Sequence, residues 1–66
     1  MATNLTDRER QVLELLGEGL SNSDIAEKLD IAERTVEIYV RNIFLKLRVK
    51  NRTQAAVMWA TGVVAE

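Results

Sequence analysis

The sequence predicts an all-α domain of four helices, and three observations carry that expectation. Apolar residues recur at three- and four-residue spacing, with no strand-like alternation. Three helix-starting signatures divide the chain: Thr6-Asp7-Arg8-Glu9, Ser21-Asn22-Ser23-Asp24 and Asn51-Arg52-Thr53-Gln54. Proline is absent and glycine occurs only three times, so few positions break a helix.

The first helix is expected from about Asp7 to Gly17. Thr6 and Glu9 form a capping box, in which each side chain can reach the other's backbone N–H. Val12, Leu13, Leu15 and Leu16 supply the apolar stripe, and Gly17 and Gly19 offer left-handed exits. The second helix is short, about Asn22 to Leu29, with Ser21 as its cap and Ile25, Ala26 and Leu29 facing inward. Asp30-Ile31-Ala32 turns the chain into a third helix starting at Glu33 and ending near Arg48. Its buried face is Val36, Val40, Ile43, Phe44 and Leu47. A fourth helix, opened by the Asn51 cap, is expected through Ala55, Ala56, Met58 and Trp59 to Gly62, with fraying expected from Val63 to Glu66.

Sixty-six residues fit a single domain spanning the whole chain, 1–66. A chain this short buries only about 60% of its unfolded surface, so stability is expected to be modest. There is no Cys and no His. That leaves no disulfide framework, no usual zinc ligands and no usual general base. No catalytic residue, metal site or cofactor is expected, and no acidic pair is placed with a nucleophile. No apolar run approaches a membrane span and no signal peptide is evident, which makes a cytoplasmic location the default expectation.

The formal charge of −1 hides a division. Through Glu33 the chain carries three basic and eight acidic residues. Beyond it stand six basic residues (Arg34, Arg41, Lys46, Arg48, Lys50 and Arg52) against only Glu37 and Glu66. Such a basic stripe either faces a polyanion or is an ordinary solvated face.

The second and third helices favour the polyanion, in the form of nucleic acid. A short helix, a tight turn and a longer helix, with small Ala26 where the backbones cross, make a helix-turn-helix, and Ile31 plugs its corner. In such a motif the longer helix enters the major groove of double-stranded DNA. Its outer face would be Arg34, Glu37, Ile38, Arg41, Asn42, Leu45 and Lys46. Arg41 suits guanine, Ile38 a thymine methyl and Glu37 cytosine N4, although Glu37 also repels phosphates. Arg34, Thr35, Asn42, Lys46, Lys50 and Arg52 are assigned to phosphates. Asn22 and Ser23, at the start of the second helix, join them beside unpaired N–H groups.

These residues also resemble a known family. Leu5-Thr6-x-Arg8-Glu9-Arg10-x-Val12-Leu13, Gly19-Leu20-Ser21-Asn22-x-x-Ile25-Ala26-x-x-Leu29, Thr35-Val36-x-x-x-Val40-x-Asn42-Ile43 and Lys46-Leu47-x-Val49-x-Asn51-Arg52-x-x-Ala55 are similar to LuxR/GerE-type DNA-binding domains. The nearest flavour is that of the NarL/FixJ-type response regulators. The resemblance implies a transcriptional regulator whose third helix reads promoter DNA, with this domain as the C-terminal part of a longer chain. It also implies an RNA polymerase contact and a homodimer through the fourth helix, where Ala56, Met58, Trp59 and Val63 are the candidates, with a core anchor as the other reading of Trp59. Glu9 and Gly19 match positions that serve structure in the family.

Five positions depart from the pattern. The family usually carries Lys at Glu37, His at Tyr39, Lys or another polar residue at Ser23, a capping Ser or Thr at Ala32 and Gly at Arg48. Two other readings compete. One is a protein-interaction module whose helix-turn-helix binds DNA weakly or not at all, favoured by the net negative charge and Glu37. The other is the promoter-reading region of a sigma factor, against which the fourth capped helix argues.

Overall fold

Four helices follow one another in the computed structural model, which describes residues 4–62: α1 (Asp7–Gly17), α2 (Asn22–Leu29), α3 (Glu33–Leu47) and α4 (Arg52–Thr61). Val63, one of the candidate dimer residues, lies outside the described residues. The boundaries agree with the sequence expectation to within a residue, because the caps are local. Thr6 Oγ1 accepts from the Glu9 N–H at 3.1 Å, and Glu9 Oε1 accepts from the Thr6 N–H at 2.9 Å. This completes the capping box. Ser21 caps α2 by accepting from the Asp24 N–H at 3.1 Å, and Asn51 caps α4 by accepting from the Gln54 N–H at 2.9 Å. Gln54 reaches back past the cap to the Lys50 N–H, at 2.8 Å. Ala32, at the start of α3, has no side-chain cap bond.

Three helices end by one device. Gly19, Asp30 and Arg48 all take positive φ, at 95°, 58° and 59°. The N–H of the next residue then bonds five residues back: Leu20 to Leu15 at 3.2 Å, Ile31 to Ala26 at 3.0 Å and Val49 to Phe44 at 3.1 Å. Leu20, Ile31 and Val49 are each partly buried against the core. The wrap satisfies orphan carbonyls while an apolar residue seals the helix end. Glycine supplies the left-handed residue after α1, and Gly62 does the same after α4 at φ 80°, whereas Asp30 and Arg48 stand there after α2 and α3. Gly17 is not an exit at all: it closes α1 with helical geometry, and its missing side chain makes room for Trp59.

The core forms where α1 packs on α2, α3 and α4, and where α2 crosses α3. Val12, Leu13, Ile25, Val36, Ile43 and Ala55 are completely buried, drawing on all four helices. Removing one side chain the size of Leu13 or Ile25 from water contributes roughly 1.5–3 kcal/mol. Ala26 is buried, on a helix that packs against α3. Phe44, expected on the buried face of α3, is only half-buried. It sits one residue past Ile43, turned about 100° from the inward line of Val36, Val40, Ile43 and Leu47.

Candidate nucleic-acid interface

With one face of α3 fixed in the core, the opposite face follows from the helical repeat. Arg34, Glu37, Ile38, Arg41 and Leu45 are all exposed, and Thr35 and Asn42 are half-buried at its edges. Ile38 keeps 53% and Leu45 68% of its surface in contact with solvent. Among the described residues, no side chain hydrogen-bonds or pairs with Arg34, Glu37 or Arg41. The row is presented outward and is chemically unspent.

Two of the basic residues assigned to phosphates also have work inside the fold. Lys46 Nζ donates to Glu9 Oε1 at 2.8 Å and to the Asn4 carbonyl at 2.9 Å. Glu9 is 4% exposed, so its carboxylate is a buried charge that has acquired a partner. Burial by itself pushes the Glu9 carboxyl up. The bonds from Lys46 and the Thr6 N–H, the Lys46 charge and the Thr6 hydroxyl together outweigh it and hold the group below its ordinary value. The pair fastens the C-terminal half of α3 to the first turn of α1. One of the three ammonium hydrogens of Lys46 remains to point outward.

Arg52 plays the corresponding part at the other edge. Its guanidinium donates to Asn22 Oδ1 and to the Leu20 carbonyl, both at 2.7 Å. The first turn of α4 is thereby tied to the first turn of α2. Asn22 spends its acceptor on this bond, which leaves its NH2 donors outward. Ser23 is exposed beside it. A guanidinium with three unused donors, an amide NH2 and the opening N–H groups of α2 form a cationic corner where α4 meets α2. Lys50 is exposed on the link between α3 and α4.

On α4, Ala56, Met58 and Trp59 are half-buried and pack against the core rather than standing fully outward. Trp59 lies against Gly17 of α1. The large apolar residue that α4 exposes is Val57, at 53%. Sequence reasoning passed over it because a single valine between alanine and methionine carries no periodic signal. Among the described residues no group of three His, Cys, Asp or Glu is placed to hold a metal ion, and no helix is long and apolar enough to cross a membrane.

Residues 3–59 match the family described as bacterial regulatory proteins, luxR family. The chain belongs to the luxR family. Its luxR-family sequence is 57% identical over 54 residues to the transcriptional regulatory protein LnrK of Bacillus subtilis, covering 82% of this chain and 24% of LnrK. It is 51% identical over 55 residues to the DNA-binding transcriptional activator DevR/DosR of Mycobacterium tuberculosis, covering 83% and 25%. It is 47% identical over 53 residues to the nitrate/nitrite response regulator NarL of Escherichia coli, covering 80% and 24%. The chain thus spans about a quarter of the length of these three relatives. The luxR-family fold is also seen in the crystal structure of the anti-activator RapF complexed with the response regulator ComA DNA binding domain. The match there has a TM-score of 0.79 at 37% identity, covering 82% of this chain and 93% of that one. The four-helix architecture with a helix-turn-helix at α2–α3 is therefore that of LuxR-type domains in transcriptional regulators.

Proposed function

We propose that this domain binds double-stranded promoter DNA with sequence specificity, as the C-terminal part of a longer cytoplasmic transcriptional regulator. The observation that carries the reading is the outward row on α3, exposed and without intramolecular partners, in a luxR-family domain. In this reading α3 lies in the major groove. Arg41 donates two hydrogen bonds to guanine, Ile38 packs on a thymine methyl and Glu37 accepts from cytosine N4. Arg34, Thr35, Asn42 and Lys50 hold phosphates, joined by the cationic corner of Asn22, Ser23 and Arg52 and by the remaining hydrogen of Lys46. Two copies pair through α4, where Val57 joins Ala56, Met58 and Trp59, with Val63, outside the described residues, as the remaining candidate. A bound dimer presents its outer surface to RNA polymerase. No chemistry is performed.

Arg41→Ala tests the assignment. Against fragments selected from a random pool by the wild type, the variant is expected to lose about 1–3 kcal/mol of discrimination at one base pair. Equal ranking of all sequences by wild type and variant would remove Arg41 from the reading surface.

A further inference from the structure

The C-terminal end of α3 holds a backbone conformation that its side chain does nothing to support. Arg48 closes the helix at φ 59° and ψ 41°. That region crowds an L side chain and is free only to glycine. The turn is built from backbone bonds, with the N–H groups of Arg48 and Val49 both donating to the Phe44 carbonyl. The arginine side chain is exposed and has no partner among the described residues. Asp30, which shares the conformation, has the short polar side chain that the region tolerates best. Strain kept without any return inside the monomer points to a role outside it.

The position of Arg48 identifies that role. Arg34, Arg41 and Arg48 recur every seven residues, with Ile38 and Leu45 between them. Seven residues turn a helix through about 700°, only some 20° short of two full turns. Arg34, Ile38, Arg41 and Leu45 are exposed on one side of α3, and Arg48, exposed as the C-cap, stands at the C-terminal end of the helix, about 21 Å of helix rise from Arg34. A straight helix follows the curved major groove only near its middle, and its ends approach the phosphate ridges. Arg41 sits mid-row over the bases, whereas Arg34 and Arg48 sit at the two ends. No acidic residue occurs between Glu37 and Glu66, so the potential around Arg48 is uniformly positive in sequence, reinforced by Lys50 and Arg52.

We infer that Arg48 is a phosphate-binding residue, gripping the DNA backbone where α3 leaves the groove, with backbone strain retained in exchange. This rests on the DNA reading proposed above and carries the contact surface past Leu47 to the C-cap of α3. The test compares Arg48→Gly and Arg48→Lys with wild type on a wild-type-selected fragment and a scrambled one. Dissociation constants are measured across a salt series, and melting is followed without DNA. Arg48→Gly is expected to melt about 4–8 °C higher, because the left-handed penalty disappears. It binds both fragments about eightfold more weakly per protomer at 0.1 M salt, with the salt slope lowered by about 0.9. Arg48→Lys keeps the slope of the wild type. If wild type binds DNA and Arg48→Gly matches its affinity and slope, the assignment of Arg48 falls while the DNA reading stands. If wild type shows no salt-dependent DNA binding, both fall together.

Discussion

Gly17→Ala sets two opposed effects against each other at the seam between α1 and α4. Gly17 is the last residue of α1 and has helical rather than left-handed geometry. Alanine there gains about 1 kcal/mol of helix propensity. The added Cβ, however, would fall 2.7 Å from Trp59 Cδ1, 3.2 Å from Cγ and 3.4 Å from Cβ. The indole cannot escape by swinging its far edge alone, since its root atoms are also close. It must rotate off its position or push α4 away, and overpacking of this kind costs about 1–3 kcal/mol. The net expectation is a loss of about 1 kcal/mol in wild type, lowering the melting temperature by about 4–8 °C. In a Trp59→Ala background the clash is gone and only the propensity gain remains, so the same substitution stabilises by about 1 kcal/mol. Urea unfolding followed by far-UV circular dichroism, on the four proteins of this cycle, measures the change of sign. Equal stabilisation by Gly17→Ala in both backgrounds would refute the contact between the indole and Gly17.

Two further outcomes follow from the caps and the buried pair. Glu9 has a folded-state pKa held below its ordinary 4.5, so its contribution to stability is complete above that value and is lost as pH falls through the folded value. Glu9→Gln should therefore cost about 1–3 kcal/mol at pH 7 and much less in acid, and a pH-independent difference in urea unfolding would contradict the pairing with Lys46. Ala32→Ser should stabilise the domain by about 1 kcal/mol by capping α3, read as a shift in urea midpoint at constant slope, and no shift would mean that its first-turn N–H groups are already satisfied.

Local chemistry is what the sequence makes legible. Thr6, Ser21 and Asn51 act within three residues of themselves, so their helices start where the pattern says. The helical repeat likewise separates Ile43 from Ile38 without coordinates. What stayed hidden joins residues far apart in the chain. Lys46 looks like one more cation on an outer face until the fold brings Glu9, 37 positions earlier, beneath it. The hook from Arg52 to Asn22 spans 30 positions and is equally silent in sequence. Trp59 reads as a dimer or core residue with equal ease, and only the approach of α1 shows that it needs a glycine opposite. The left-handed ends of α2 and α3 were missed for a different reason. Glycine is the usual sign of such an end, and Asp30 and Arg48 stand in its place.

The bond from Lys46 to the Asn4 carbonyl has a mechanical consequence. The segment entering α1 and the last full turn of α3 are held together by one ammonium group. The position of Asn4 and that of the C-terminal half of α3 are therefore coupled through a single side chain. Two short polar links thus set the spacing between the entry to α1 and the C-terminal half of α3.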